Sequence, residues 1–391
     1  MPPAGQGLSA PPDRNALLKN MRRMVVKVGT AVVCDRDGEF DQQRVRALAD
    51  GIAGLVKHGR QVVVVSSGAV TLGAAQLKMH RTRLRDAAMT RACAAIGQCK
   101  LMQAWADALR PHGLTPAQVL VTEDDFTDLN RYKILRQTFE KLLKLGSVPV
   151  VNENDTVTNI WTEQPAIFRD NDRLAALVLS KLDADALILL SNVEGLLRDP
   201  ERGAEPDNII PLVTTLSPEI RESAQGKSAV GRGGMTAKLD AAQIAMHAGG
   251  MVIIANGQTP GILNQIFSGE SVGTMFLPGS RMAGKKRWLA FATSARGRVS
   301  INANAAKAIL HGHASLLISG VTGCKGEFSS GQVISVVDAD GRAIGRGIAE
   351  CGSQELSQML SSNDGLLRGV LVRRENFIIL SGKEEGSGQQ E

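Results

Sequence analysis

Short apolar runs alternate with helical patterns from Met24 to Ala255 of this 391-residue chain. The first two runs are rich in valine and end in glycine, as buried parallel strands do. The predicted strands cover residues 24–29, 61–68, 117–121, 147–151, 186–190 and 251–255. The predicted helices cover residues 42–57, 87–110, 130–145, 172–182 and 235–248. This alternation predicts an α/β fold in which one open, mostly parallel sheet is sandwiched by helices.

The pattern changes in the stretch LPGSRMAGKKRW, residues 277–288, which is rich in Pro, Gly and basic residues and indicates a linker. Beyond it the apolar runs are short and strand-like, and Asp340-Gly341 predicts a hairpin. We therefore expect five segments: a flexible leader (1–21), a main domain (22–280), a linker (281–295), a small, mainly β domain (296–383) and a flexible tail (384–391).

Composition excludes several classes of protein. The five cysteines show no CxxC pair and no metal-ligand spacing, which favours a reduced, cytoplasmic protein over a secreted one. The first residues lack the apolar core of a signal peptide, and no run approaches the roughly 18 apolar residues of a membrane span, so we expect no membrane partner. The net charge is +6, of which +4 lies in residues 281–391. Dedicated nucleic-acid-binding proteins concentrate charge far more strongly.

The loops after the strands are the candidate sites, because open α/β sheets bind ligands at the carboxyl ends of their strands. Lys27 lies inside an apolar strand and must direct its ammonium to the strand end or suffer desolvation. A phosphate would be a natural partner, although a lysine in an edge strand that points to water fits equally well. Ser66-Ser67-Gly68-Ala69 offers free N–H groups to an anion, but an ordinary turn with a serine cap has the same pattern.

Two further loops are polar or rich in glycine. Short polar side chains cluster in VNENDTV (151–157) and FRDNDRLAA (168–176) and offer oxygens to an ammonium or to Mg²⁺, although they are also common in turns. Asp172 has a helix N-cap as its alternative role. GKSAVGRGGMTAK (226–238) resembles a phosphate-binding glycine loop but is not a Walker A sequence. Lysines at two such loops indicate phosphoryl transfer by positioning and charge neutralisation.

Residues 156–168 alternate weakly between apolar and polar side chains, which predicts a hairpin that projects from the sheet.

Five motifs in order and spacing (VVKVGTAVV, SSGAV, VNENDTV, the DND triplet and GRGGMTAK) resemble the glutamate 5-kinases of the amino-acid kinase superfamily. The resemblance spans residues 22–383, and the C-terminal β domain is similar to the PUA domain, a small barrel. It implies an amino-acid kinase fold and phosphorylation of the γ-carboxylate of L-glutamate by ATP and Mg²⁺, giving L-glutamyl 5-phosphate, the first step of proline biosynthesis. It also implies feedback inhibition by proline and a homodimer or homotetramer.

The resemblance gives the phosphoryl-transfer roles to Lys27, Lys238 and Asp172. The two lysines would stabilise the phosphoryl group in transfer, and Asp172 would hold both lysines in place. The nucleotide-binding residues would be Lys27, Gly29, Ser191, Asn192, Arg232, Gly233, Gly234, Met235, Thr236, Ala237 and Lys238. No side chain is assigned as a ligand of the metal ion.

The resemblance also implies a pocket for glutamate. Ser67 and Gly68 would lie beside the substrate carboxylate, and Asp155 would accept hydrogen bonds from the α-ammonium group. Asn152 and Asn171 would line the same pocket.

The sequence departs from the family pattern at four places. Ser191-Asn192 replaces the usual Thr-Asp and removes a carboxylate, and Arg232 replaces the threonine of Gly-Thr-Gly-Gly. Arg169 replaces a glycine, and YKILR (132–136) replaces a Leu-Asn-Ala-Arg stretch. None of these changes removes a proposed catalytic group.

Three alternatives stay open at this point. Another kinase of the superfamily, similar to acetylglutamate or aspartate kinase, fits VVKVGTAVV, SSGAV and VNEND less well. RNA binding by the PUA-like domain has little support, since residues 281–391 carry weak charge and only Trp288, Phe291, Phe328 and Phe377 as aromatic residues. A sensor without catalysis is disfavoured because both Lys27 and Lys238 are present.

Overall fold

A computed structural model describes residues 13–35, 37–79, 86–157, 170–224, 234–292, 295–312, 314–361 and 369–379. The chain divides into two compact units, Met1–Arg281 and Met282–Glu391. The hairpin predicted over residues 156–168 lies largely outside the described residues, as do Arg169 and residues 231–233. Among the described residues, no helix has the length and apolar character to cross a membrane.

A large sheet forms the centre of the first unit. Its strands are β1 (Arg23–Val28), β2 (Gln61–Ser66), β3 (Pro116–Val121), β4 (Val148–Glu153), β5 (Ala186–Ser191), β6 (Leu212–Val213), β7 (Met251–Asn256) and β8 (Thr274–Phe276). Their order is β3-β4-β2-β1-β5-β7-β8-β6, and only the β7–β8 neighbours are antiparallel in the part of the sheet that is described. The prediction of a mostly parallel sheet is confirmed. The carboxyl ends of β1, β2, β4 and β5 therefore meet at one edge.

Helices cover both faces of this sheet. They are α1 (Arg14–Lys19), α2 (Thr30–Val33), α3 (Gln42–Lys57), α4 (Ala69–Gln76), α5 (Ala87–Leu109), α6 (Asp124–Thr127), α7 (Leu129–Lys144), α8 (Asn171–Leu182), α9 (Pro218–Ser223), α10 (Met235–His247) and α11 (Ile262–Phe267). Successive strand residues face opposite sides, so Met24, Val26 and Val28 join the core under α3 and α5. Lys27 faces the other side, where α8 and α10 pack together.

Residues 13–21 are more ordered than the sequence indicated. The prediction of a flexible leader over residues 1–21 is wrong for the described residues 13–21, because α1 packs on the first unit through Leu18, which is 1% exposed. The Arg14 guanidinium donates hydrogen bonds to the carbonyls of Pro211 and Val272, the latter at 2.8 Å. These carbonyls lie some two hundred or more residues along the chain, which explains why local composition gives no sign of the contact.

The second half of α8 carries a lysine without accessible surface. Lys181 is 0% exposed, and its ammonium nitrogen lies 3.2 Å from the ring centroid of Tyr132 and 5.0 Å from that of Phe126. Among the described residues this nitrogen has no hydrogen-bond partner. Burial lowers the pKa of Lys181 to about 6; Asp125 opposes this change and Arg136 adds to it. The amine is therefore mostly neutral at neutral pH.

The second unit is rich in β structure. Its strands are β9 (Gly297–Ile301), β10 (Leu316–Leu317), β11 (Val321–Lys325), β12 (Val333–Val337), β13 (Ala343–Ile348), β14 (Val370–Val372) and β15 (Phe377–Ile379). Five of them form a sheet in the order β11-β9-β12-β13-β15, and β10 pairs with β14. The β12–β13 hairpin agrees with the prediction at Asp340-Gly341, and Gly341 has a φ of +79°. Helices α13 (Ala303–Gly312) and α14 (Ser353–Ser361) were not foreseen.

The segment taken for a linker is partly helical. The linker predicted over residues 281–295 contains two helical elements, α12 (Gly284–Arg287) and a π-helical turn, Trp288–Ala292. Trp288 and Leu289 are buried, and the Arg346 side chain donates a hydrogen bond to the Ala290 carbonyl. Burial of the large apolar side chains of Trp288 and Leu289 stabilises this helical segment despite the basic and glycine-rich composition around it.

Candidate active site

Two lysines share one buried carboxylate at the carboxyl edge of the sheet. The Lys27 ammonium lies 2.7 Å from Oδ1 of Asp172, and the Lys238 ammonium lies 3.1 Å from Oδ2. All three side chains are nearly inaccessible, with exposures of 7% for Lys27, 4% for Lys238 and 1% for Asp172. The structure thus brings together the three residues predicted for phosphoryl transfer. The alternative of a solvated lysine in an edge strand is wrong for Lys27, because β1 is paired on both sides.

The positive charges of Lys27 and Lys238 stabilise the negative charge of Asp172 between them. Burial works to raise the pKa of the Asp172 carboxyl, but the positive charges and hydrogen bonds of Lys27 and Lys238 outweigh it and leave the pKa below its ordinary value. The carboxyl is therefore ionised at neutral pH. Two ammonium groups thus share one carboxylate in a poorly solvated place, an arrangement that suits an anionic ligand.

The start of α8 fixes the position of Asp172. Asp170 is the N-cap, since its side chain accepts a hydrogen bond of 3.0 Å from the Arg173 backbone N–H. The alternative reading of Asp172 as the N-cap is therefore wrong; Asp172 lies in the first turn, where the helix dipole also favours a negative charge. Burial and the neighbouring Asp172 raise the pKa of Asp170.

A chain of amide and hydroxyl groups links three loops beside this cluster. The Asn171 amide donates to Oγ of Ser67 at 2.8 Å and to Oδ1 of Asn152 at 3.0 Å. The Asn152 amide in turn donates to Oε1 of Gln98 at 3.0 Å. Three predicted pocket residues are therefore in direct contact. Asp155 lies in the turn after β4 and is half-buried, and its role stays a prediction.

Gln98 also belongs to this group of linked side chains, although no motif predicts it. It lies within α5 and is 9% exposed, and its Nε2 has no hydrogen-bond partner among the described residues. A buried amide donor without a partner costs free energy unless a ligand oxygen completes it. The only signal in the sequence is a glutamine inside an alanine-rich apolar helix, which is weak on its own.

Gly68 allows the sharp turn between β2 and α4. Its φ of +114° lies in the region that L-residues with side chains rarely adopt. The backbone N–H of the preceding Ser67 donates to the Val28 carbonyl at 3.0 Å, so the loop is attached to the end of β1. Ser67 and Gly68 thus lie one strand away from Lys27.

The predicted nucleotide residues lie around the ends of β1, β5 and α10. The Gly29 N–H donates to the Leu190 carbonyl at 3.0 Å, and a Cβ at Gly29 would lie 3.6 Å from the Lys27 ammonium nitrogen. Ser191 ends β5 beside Asn256, the last residue of β7, and its hydroxyl contacts the Asn192 amide oxygen at 3.3 Å. Gly234 precedes α10, whose first turn contains Met235, Thr236, Ala237 and Lys238. Arg232 and Gly233 lie outside the described residues.

A carboxylate outside the predicted motifs, that of Glu194, lies near Ser191. The Asn256 amide donates to the Glu194 carboxylate at 2.6 Å. Asn192 itself brings no carboxylate to this edge, so Glu194 supplies one within three residues of the β5 end.

Comparisons with known proteins agree with this geometry. Residues 22–256 match the profile of the amino acid kinase family, and residues 297–363 match that of the PUA domain. The glutamate 5-kinase of Myxococcus xanthus is 42% identical over 360 residues, which cover 91% of this chain and 94% of the relative. Those of Trichlorobacter lovleyi and Anaeromyxobacter dehalogenans are 38% and 40% identical, and each alignment covers 94% of this chain and 99% of the relative. The chain belongs to the amino acid kinase family and, within it, to the glutamate 5-kinases that carry a PUA domain.

Proposed function

We propose that this protein transfers the γ-phosphoryl group of ATP to the γ-carboxylate of L-glutamate and forms L-glutamyl 5-phosphate, the first step of proline biosynthesis. The observation that carries the proposal is the Lys27–Asp172–Lys238 cluster, with ion pairs of 2.7 and 3.1 Å, next to the amide chain of Asn171 and Asn152. Cationic groups suited to a phosphoryl group lie beside neutral polar groups suited to a small polar acid.

The transfer needs no catalytic base. A glutamate side chain in water has a pKa of about 4.3, so its carboxylate is already a nucleophile at neutral pH. One of its oxygens forms a bond to the γ-phosphorus, while the bond from this phosphorus to the oxygen that bridges to the β-phosphate breaks. ADP leaves with that electron pair, and no proton is transferred. Negative charge develops on the phosphoryl oxygens, where Lys27 and Lys238 would neutralise it.

Asp172 serves this chemistry indirectly. Two ammonium groups side by side would repel each other, and a carboxylate between them offsets this repulsion. Each of its oxygens holds one lysine, so the separation of the ammonium groups is set by the carboxylate. We assign Asp172 the role of holding both lysines in place.

The glutamate-binding and nucleotide-binding roles are assigned according to which loops lie next to each other. We propose that Ser67, Gly68, Asn152 and Asn171 bind the carboxylate groups of glutamate, and that Asp155 binds its ammonium group. For the nucleotide we propose the segment from Arg232 to Lys238, together with Lys27, Gly29, Ser191 and Asn192.

The residues present fit a magnesium ion that is held mainly by nucleotide phosphates. The part of the chain that is described contains no group of three or more metal-ligating side chains, and both oxygens of Asp172 are engaged by lysines. Mg²⁺ often binds through substrate phosphates with few protein ligands. When bound, it would neutralise charge on the transferred phosphate.

We also propose a cytoplasmic enzyme that is inhibited by proline and assembles as a homodimer or homotetramer. All five cysteines are free thiols, which suits a reducing compartment. Proline shares the carboxylate and amine that this pocket would recognise. Inhibition that is competitive with glutamate is expected, and light scattering of the purified protein would give its oligomeric state.

The central experiment measures acyl phosphate formation, trapped as the hydroxamate, with ATP and Mg²⁺. L-Glutamate, L-aspartate and N-acetylglutamate are tested side by side, because related kinases act on such acids. Product with glutamate alone is the expected result. Product with another acid, or none with any of the three, would contradict the proposed substrate.

A further inference from the structure

A buried tryptophan on α5 donates a hydrogen bond to the strand residue that precedes the Ser67-Gly68 loop. The indole Nε1–H of Trp105, on α5, donates a hydrogen bond of 3.0 Å to Oγ of Ser66, the last residue of β2. Both side chains are 0% exposed. An indole is only a donor, so this contact uses one lone pair of the Ser66 hydroxyl and leaves its proton free to be directed elsewhere.

The Ser66 hydroxyl, held by Trp105, in turn contacts the backbone of the loop. Its oxygen lies 3.3 Å from the Ser67 carbonyl, to which the hydroxyl donates. In a trans peptide the C=O and the following N–H point in opposite directions, so holding the Ser67 carbonyl also orients the Gly68 N–H. In the described part of the chain this N–H has no hydrogen-bond acceptor. It is thus available to a ligand carboxylate.

Helix α5 is well placed to act as a rigid support. A Cβ at Gly97 would lie 1.8 Å from the Ala69 carbonyl oxygen, and one at Gly73 would lie 1.9 Å from the Cys93 carbonyl oxygen. The backbones of α4 and α5 are therefore in contact at the first turn of α4. Trp105 follows Gln98 by seven residues, which places the two on the same face of α5.

We propose that Trp105 is a positioning residue for the substrate carboxylate and that it acts through Ser66 on the Ser67-Gly68 peptide. The proposal rests on the proposed function, since it assumes that glutamate binds at this loop. Trp105 itself does not touch the substrate. Loss of its N–H should leave the Ser66 hydroxyl free to rotate and the Gly68 N–H less well aimed.

The test compares Trp105→Phe, Ser66→Ala and the double variant. Equilibrium binding of L-glutamate is measured by calorimetry, and the KM for ATP is measured by steady-state kinetics. A net hydrogen bond corresponds to a change of about three- to tenfold, so each single variant should raise the Kd for glutamate by that factor. The KM for ATP should stay within about twofold. If the two groups act as one unit, the double variant should bind no more weakly than the weaker single variant.

Controls separate positioning from general damage to the fold. Trp288→Phe, the same change at a buried tryptophan of the second unit, should leave the Kd for glutamate unchanged. Ser66→Ala removes few atoms and decides the question if Trp105→Phe does not fold. An unchanged Kd in the single variants, equal losses for glutamate and ATP, or additive effects in the double variant would overturn the proposal. A wild-type protein that binds glutamate but forms no acyl phosphate would contradict only the proposed function.

Discussion

Replacing Lys181 by methionine should stabilise the protein, and the gain should depend on pH. Methionine fills a similar volume without an amine that must lose its water. The pKa of Lys181 is about 6 in the folded protein, against an ordinary value of 10.5. Between these values the unfolded chain holds a proton on this amine and the folded chain does not. The unfolded state therefore binds more protons, and the stability of the wild type rises with pH through this window.

The magnitude follows from the pKa difference. Each unit of pH contributes about 1.4 kcal/mol, so Lys181 costs at most about 5 kcal/mol at pH 7 and about 2 kcal/mol at pH 9. The cost disappears near the ordinary pKa of 10.5. Below the folded pKa of about 6 the cost is constant, at about 6 kcal/mol.

Urea unfolding followed by circular dichroism, between about pH 6 and pH 9, measures this effect. The stability difference between Lys181→Met and the wild type should shrink by about 1.4 kcal/mol for each unit of rising pH. Lys141→Met, at an exposed lysine of α7, is the matched control and should run parallel to the wild type. A parallel profile for Lys181→Met would refute the reasoning, because it would mean that the folded protein keeps this amine charged.

Three further predictions concern the site and its support. Lys27→Ala or Lys238→Ala should lower kcat by at least about 100-fold, and a loss below about tenfold would remove that lysine from the transfer step. Asp155→Asn should raise the KM for glutamate by about tenfold and leave that for ATP unchanged; an unaffected glutamate KM would place the ammonium site elsewhere. Gly97→Ala should lower the thermal midpoint by several degrees, because its methyl group would lie 1.8 Å from a carbonyl oxygen of α4. Gly54→Ala, in an open part of α3, should not lower it.

The sheet and the position of Lys27 could be predicted because local patterns determine them. Buried parallel strands need continuous apolar runs, so a single lysine in such a run is conspicuous and Lys27 could be located without a structure. The alternation of strand residues explains why its side chain meets α8 and not α3. Its partners Asp172 and Lys238 were expected from the resemblance to the glutamate 5-kinases.

Other residues could not be found in this way because distant contacts define them. Gln98 and Trp105 lie inside α5, where the sequence shows an apolar helix but not which polar atoms meet the ends of β2 and β4. Arg14 contacts carbonyls far along the chain, and Trp288 is hidden among basic residues. In each case contacts with distant parts of the chain determine where the side chain lies, and local composition does not predict it.

The place of Lys27 on β1 has a consequence for the order in which the protein opens. β1 is hydrogen-bonded to β2 on one side and to β5 on the other, over its whole length on the β2 side. Central strands with two partners exchange their amide hydrogens only in the largest opening events. The backbone at Lys27 should therefore be among the last to exchange. The lysine thus remains correctly placed through the smaller openings that free the edges of the sheet.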